Sequence, residues 1–290
     1  MNVNQGKKSS FYKMWDVLQP FVIYYFLHMV VFYVLAFLFQ VSLETFGEGY
    51  AAFMMAHAET VTGIVSGASM LIAAAPLFPM LKQELNDRRI QEHSVYASVG
   101  KPDIGSVRNQ QAVRSILAVI LAVTSSVGLN ILLSLTGFVD ASDTFQDVSK
   151  RQFGVAFGIG IILYGVVSPL AEEIVFRGLL YNRMRKYYPT WPAIVVSGLF
   201  FGMYHGNLVQ GIYGTCMGIL MAYLYERTGR LLIPFLFHAA ANAAVYTLGS
   251  LPAVQESLWG RGNCAILLTI SAICIICLEK IFRHEKNNHQ

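Results

Sequence analysis

The chain has 290 residues, of which 55% are hydrophobic and 13% charged, with a net charge of +4 and a mean hydropathy of +0.50. Soluble domains carry roughly 25% charged residues, so the composition excludes an ordinary water-soluble fold, and the length is better counted in spans of roughly 20 apolar residues. The small positive charge does not point to nucleic acid, because the basic residues sit beside apolar runs, where they have a topological meaning.

Eight apolar runs follow one another at about 21–41, 61–81, 115–137, 153–170, 191–204, 208–225, 231–248 and 264–278. In lipid each must be a helix, since no water is there to satisfy a broken backbone. The first run is too long for a signal-peptide core and reads as a retained span. The fifth and eighth are short for a full crossing, which predicts little tilt or partial cover by neighbours. The fold class is therefore all-α, a polytopic membrane protein of about eight helices.

Charge alternates between the loops. Lys7, Lys8 and Lys13 precede the first run, and Glu44, Glu48 and Glu59 follow it. Lys82, Arg88, Arg89, Lys101, Arg108 and Arg114 follow the second run, and Asp140, Asp143 and Asp147 the third, with Lys150 and Arg151 closing that loop. Arg183, Arg185 and Lys186 come next, then Arg227 and Arg230; Arg261 stands alone, and Lys280, Arg283 and Lys286 end the series. The positive-inside rule places both termini in the cytoplasm, and an even span count agrees. The stretch 82–114, with Gly100-Lys101-Pro102, reads as a polar cytoplasmic connector without chemistry. The four cysteines, Cys216, Cys264, Cys274 and Cys277, lie in apolar stretches and read as small buried thiols. His28, alone in the first run, is assigned no role.

The organisation that results is a cytoplasmic segment 1–20, scaffold helices over 21–152, a core over 153–250, and a last span with its tail over 251–290. The chemistry lies in the core. Glu172 and Glu173 follow the fourth run and precede another apolar stretch, 174–180, so a helix continuing to about Tyr187 buries them in hydrocarbon. An embedded charge costs at least ~2.5 kcal/mol on insertion scales, which makes a functional site the default hypothesis. Glu173 and Arg177 are four apart and share a helix face, whereas Glu172 is rotated by about 100° and faces elsewhere. A structural Glu–Arg clamp accounts for Glu173 and Arg177 but leaves Glu172 unexplained.

Two further motifs follow. Phe201-Gly-Met-Tyr-His205 ends the fifth run among Gly198, Gly202 and Gly206, residues that let another backbone approach closely. His238-Ala-Ala-Ala-Asn242 places His238 and Asn242 on one face of the seventh run. A carboxylate or histidine can activate water, and histidine and asparagine side chains are competent donors to an oxyanion. No serine or cysteine occupies an evident nucleophile motif. A helix from Trp191 carries His205 about 21 Å from the cytoplasmic side, so it meets Glu172 only if the glutamates sit deep, or if the fifth helix is tilted or starts in a cavity.

Glu172-Glu173-x-x-x-Arg177, Phe201-x-x-x-His205 and His238-x-x-x-Asn242, in this order on late membrane helices, resemble the CPBP family, the group of type II CAAX prenyl endopeptidases and bacteriocin-processing or abortive-infection proteins. The resemblance covers about 153–248. It implies an eight-helix intramembrane protease with a site opening toward the cytoplasm. It implies that Glu172 activates water with His205, that Glu173 and Arg177 hold the helix and tune the site, and that His238 and Asn242 form the oxyanion pocket, with Phe201 in support. The family is often called metalloprotease. Glu172, His205 and His238 would be the zinc ligands if a divalent metal were used, a ligand set known for zinc, although no HExxH is present and a metal-free, glutamate-activated water fits the spacing as well. The substrate expected is a membrane-bound peptide, either a prenylated protein or a bacteriocin leader peptide, met at the lipid bilayer of a bacterial plasma membrane. The alternative function is a non-enzymatic immunity or scaffold protein that binds a toxin or a partner helix. A proton-coupled transporter is disfavoured, because the two embedded acids are adjacent and the spans show no repeat.

Overall fold

The computed structural model describes residues 9–99 and 104–287, and the side chains within 9–90 and 111–283. Among the described residues all regular structure is helical. The apolar helices, in chain order, are α1 (Ser10–Thr45), α2 (Ala58–Ile90), α3 (Gln111–Leu135), α4 (Phe157–Tyr187), the shorter α5 (Thr190–Tyr204), α6 (Leu208–Thr228), α7 (Leu232–Gly249) and α8 (Arg261–Arg283). Seven of them are long and apolar enough to cross a membrane; α5 is not. All eight apolar runs thus fall on helices, and the chain is a multi-pass membrane protein.

Helix α4 forms the axis. Every residue over 171–184 is buried, including Arg177, Leu179, Leu180 and Tyr181 at 0% exposure. A helix apolar on all sides belongs in the middle of a bundle, and the run 174–180 reads that way. By contrast α1 shows Phe26, Tyr33 and Phe37 outward, which suits a helix whose outer face meets lipid. Helices α5 and α6 form a close hairpin. A Cβ added at Gly218 would stand 2.9 Å from the Gly198 Cα, and one at Gly202 would overlap the Gly211 carbonyl, so small residues set this spacing. The turn between them uses Gly206 at φ +74°, and Asn207 caps α6 by accepting from the Gln210 N–H at 2.9 Å.

The two ends of the bundle differ in charge. At one end Glu84 accepts from Arg183 at 3.1 Å and Lys186 at 2.8 Å. Arg183 also meets Asp16 at 3.7 Å, Glu226 pairs with Arg88 at 3.4 Å and Arg185 at 3.1 Å, and Arg227 meets Glu279 at 3.6 Å. These pairs tie the start of α1 to the ends of α2, α4, α6 and α8. At the other end Ala156 donates to Thr60 at 3.0 Å and Trp259 to Ser134 at 3.1 Å. Three short helices, Glu48–Ala56, Asp143–Gly154 and Pro252–Leu258, join spans there. Among the described residues the lysines and arginines at this second end are Lys150, Arg151 and Arg261. The positive-inside rule assigns the basic end, where α1 begins and α8 ends, to the cytoplasm.

Three expectations change. The eighth run is not short: α8 spans 23 residues, because Arg261–Asn263 and the polar residues after Leu278 extend the helix beyond its apolar part. The connector 82–114 is not a loop, since helix continues from Phe78 to Val99 and resumes at Ile104; Gly100-Lys101-Pro102 lies outside the described residues. Its first turns are also not inert, for Glu84 and Arg88 anchor the charge cluster. The fifth run is short, as its length predicted, with 15 residues in α5.

Glu84 is 4% exposed between two cations. Removing one partner of a buried pair typically costs about 3–5 kcal/mol, so Arg183→Ala should lower the thermal midpoint of the purified protein in detergent, while substitution of the exposed Arg89 should leave it unchanged.

Candidate active site

The site begins with a proline inside α4. Pro169 has no N–H to give to a preceding carbonyl, and the helix widens over Leu163–Val167, where the Ser168 N–H reaches five residues back to the Leu163 oxygen. The Tyr164 carbonyl would be served next by residue 169 and has no helical donor. The Asn242 amide of α7 fills that gap, donating to the Tyr164 oxygen at 3.0 Å. Wide turns of this kind often mark functional sites. A second wide stretch, Ile174–Tyr181, carries Arg177, and beyond it the Asn182 amide donates to the Gly178 carbonyl at 2.9 Å.

Glu172 and Glu173 diverge as their 100° separation predicts. Glu173, 1% exposed, accepts from Arg177 at 2.9 Å on its own helix and sits 2.9 Å from His238 Nδ1 of α7. Arg177 also donates to the Gly218 carbonyl of α6 at 3.0 Å, and its guanidinium lies 4.6 Å from the centre of the Phe201 ring, a favourable contact for a desolvated cation. Glu172 accepts from Ser168, one turn earlier, at 2.6 Å. Its other oxygen lies 3.6 Å from His238 Nε2. The result is a continuous line, Arg177–Glu173–His238–Glu172, and when both His238 nitrogens carry protons it sums to zero charge.

His205 ends the short helix α5. Its Nδ1 lies 2.8 Å from the Phe201 carbonyl, an acceptor only, so Nδ1 is the donor there and Nε2 is left for other partners. Phe201 presents its edge or face to both histidines, with ring centres 5.0 Å from His205 and 5.3 Å from His238, and thereby spaces them. The depth problem raised by the sequence resolves through length. Glu172 lies about 22 Å from the Tyr187 end of α4, and α5 carries His205 about 22 Å back from that same side. The glutamates sit deep, and the glutamate helix runs on well past Arg177, as expected.

Glu172, His205 and Asn242 line one cavity of about 670 Å³, together with Tyr164 and Ser168. His238 is 4% exposed and lies behind them, beside a small void of about 20 Å³ shared with His205, Phe201 and Asn242. The three motifs therefore converge. The arrangement departs from the family-implied roles in two respects. His238 bridges the glutamates rather than standing with Asn242 as a free donor, and one Asn242 N–H is committed to Tyr164. The lining of the cavity also includes Phe145, Gln146, Ser149, Gln255 and Trp259, at the end of the bundle poor in basic residues.

Sequence reasoning missed Ser168 and Tyr164. Ser168 had a signal, since it stands four residues before Glu172 on the same face. Tyr164 had one in Pro169, whose missing donor strands a carbonyl. Tyr24 of α1, fully buried and within electrostatic reach of Glu172 and Tyr204, carried none, because α1 and α4 are far apart in sequence.

The conditional zinc set of Glu172, His205 and His238 is not assembled. His238 is engaged on both nitrogens by carboxylates, His205 by a carbonyl, and among the described residues no group of three or more His, Cys, Asp and Glu is placed to hold a metal ion.

Residues 154–244 match the family described as Type II CAAX prenyl endopeptidase Rce1-like. The chain is 30% identical to the putative membrane peptidase YdiL of Bacillus subtilis, over 41% of this chain and 57% of that protein. It is 31% identical to CAAX prenyl protease 2 of Homo sapiens, over 27% of this chain and 30% of that protein. The matches thus span about half of the bacterial relative and a third of the human one. No solved structure matches the chain. A polar site enclosed by membrane helices defines the class: a polytopic protein with an intramembrane carboxylate–histidine centre. Through residues 154–244 the chain is thus similar to the Rce1-like CAAX prenyl endopeptidases, on the same stretch that carries the three motifs.

Asn242→Ala would strand the Tyr164 carbonyl. A buried acceptor left unmade costs about 1–3 kcal/mol, so this variant should unfold at a lower temperature in detergent than the wild type.

Proposed function

We propose that the chain is an intramembrane endopeptidase that hydrolyses a peptide bond of a membrane-associated substrate with water activated by Glu172 and His205. The observation that carries this reading is the pair Glu172 and His205 on the wall of one cavity, deep in the bundle, each with its other polar atom already engaged. A water between them loses a proton to Glu172 as its oxygen bonds to the substrate carbonyl carbon. The negative oxygen of the tetrahedral intermediate is stabilised by the remaining N–H of Asn242, while His238 stays behind it between the two glutamates. The C–N bond then breaks as the proton held by Glu172 passes to the leaving nitrogen, which gives a carboxylic acid and an amine; transfer of the acid's proton to the amine leaves a carboxylate and an ammonium group.

The supporting residues have separable tasks. Ser168 fixes one oxygen of Glu172 and leaves the other toward His238. Glu173 orients His238 by accepting from Nδ1, and Arg177 balances the charge of Glu173 while joining α4 to α6. The relatives' names mention membrane peptidase and CAAX prenyl protease activity, which supports hydrolysis of a peptide held at the bilayer. The same chemistry serves a prenylated protein or a leader peptide. An immunity or scaffold role without catalysis would survive loss of Glu172, which makes that residue the discriminating one.

Purified protein in detergent, assayed against a panel of prenylated and leader-type peptides, should show hydrolysis that falls by roughly 10²–10⁴-fold in Glu172→Ala and His205→Ala, the range of acid–base contributions. Equal turnover by wild type and Glu172→Ala would refute the assignment. Dialysis against a strong chelator should leave activity unchanged; loss restored by zinc would replace the metal-free mechanism.

A further inference from the structure

One corner of the basic end gathers cations from three helices. Arg227 at the end of α6 and Arg283 at the end of α8 both reach the same oxygen of Glu279, at 3.6 and 3.3 Å. The other oxygen of Glu279 accepts from the Tyr223 hydroxyl. Arg227 also feels repulsion from Arg283 and attraction to Glu226, but Glu226 already pairs with Arg88 and Arg185. Near the start of α3, Arg114 lies 5.2 Å from the centre of the Phe282 ring, and Arg227 lies 4.9 Å from the same centre.

The neighbouring charge cluster behaves differently. There four cations face four carboxylates: Arg183 and Lys186 lie among Glu84, Asp16 and Asp87, and Arg88 and Arg185 lie on Glu226. Arg227 and Arg283, by contrast, divide one carboxylate oxygen between them among the described residues. A guanidinium has five N–H donors, so most of theirs remain for a second oxyanion. Guanidiniums this close repel, and a phosphate held by both forks would turn that repulsion into attraction.

We propose that this corner binds the headgroup of an anionic phospholipid in the cytoplasmic leaflet. The phosphate meets Arg227 and Arg283, and the acyl chains run along the outer face of α8. Two observations set a lipid above a free anion. Ile276, Lys280 and Arg283 recur at the spacing of one helix face, and all three are exposed, Ile276 at 55%. Ile273, one turn deeper, is also exposed, so this face passes from isoleucine to cations as acyl chains give way to headgroups. At the same corner the exposed Trp191 stacks on Tyr223, with ring centres 6.1 Å apart, and Tyr223 packs against Phe282. Tryptophan and tyrosine concentrate at headgroup level, which puts the arginines at the depth of lipid phosphates. Basic pockets between membrane helices on the cytoplasmic side suit such headgroups. A free anion would use the guanidiniums and leave the isoleucine face idle, whereas a phospholipid uses both and ties α6 to α8.

Trp191 gives a local reading. Full-length protein carrying Trp15→Phe and Trp259→Phe keeps Trp191 as its one tryptophan. It would be reconstituted in phosphatidylcholine vesicles and titrated with brominated phosphatidylglycerol or brominated phosphatidylcholine while its fluorescence is followed. Phosphatidylglycerol should quench at a lipid fraction at least roughly fivefold lower, the gain expected from one cation at a membrane surface. Adding Arg227→Gln and Arg283→Gln should abolish that preference. Adding Lys82→Gln and Arg89→Gln instead, which removes the same charge from exposed positions on α2, should preserve it. Inorganic phosphate, at ionic strength matched with chloride, should leave the quenching unchanged. Equal quenching by the two lipids with all arginines in place would overturn the proposal, a comparison that does not depend on how the arginine variant folds. Equal loss of preference in both charge-depleted variants would overturn it too, by reducing the effect to net charge. Displacement of the brominated lipid by phosphate would make this a site for free anions and overturn the lipid assignment.

Discussion

The fully buried guanidinium of Arg177 constrains the rest of the structure. Taking one charge out of water costs several kcal/mol even after relaxation, and the cost is recovered only when partners and hydrogen bonds surround it closely. Here Glu173, the Gly218 carbonyl and the face of Phe201 supply them. Each lies on a different helix, so satisfying one cation fixes α4, α5 and α6 together. His238 then attaches to the same carboxylate and brings α7 into line. The position of Glu172 follows, since its neighbour is held and the helix rotates it by about 100° toward the open side. The Glu172 carboxylate is oriented by a charge it does not touch.

Much of this was present in the sequence, and for physical reasons. Hydrocarbon permits little besides helices, so apolar runs translated directly into α1 to α8. The i, i+4 rule linked Glu173 to Arg177 and placed His238 and Asn242 on one face. Long-range partners had no such periodic trace. Nothing local announced that His238 would stand between two glutamates 65 and 66 positions earlier, or that Tyr24 would lie near them. The helical continuation of α2 past Ile90 was hidden because its residues are polar. Membrane patterning reads apolar stretches and is silent about polar helix, such as the last turns of α2, where Glu84 and Arg88 make their buried ion pairs.

The wide turn of α4 shows how a defect in one helix becomes a bond between two. Pro169 removes a donor, and the Tyr164 carbonyl turns outward in need of one. Asn242 answers from α7 with an N–H that the sequence assigned to catalysis. The same side chain therefore holds the helix pair together and borders the cavity, and its two N–H groups divide those duties. Gly198, Gly202 and Gly218 act similarly by omission: with no side chains between them, α5 and α6 come close enough for a main-chain oxygen to reach Arg177.

Helix α5 extends only about 22 Å, against a hydrocarbon layer roughly 30 Å thick. Its tip, with His205 and the Gly206 turn, stops inside the bilayer. A rod of full length would have occupied the space beyond and left no room for water. The hollow is thus geometry by subtraction: one strut cut short leaves a polar-lined cavity that the neighbouring struts enclose. Because the hollow lies beyond only one end of that strut, the two ends of the bundle differ in packing as they differ in charge, and that asymmetry is written into the length of a single helix.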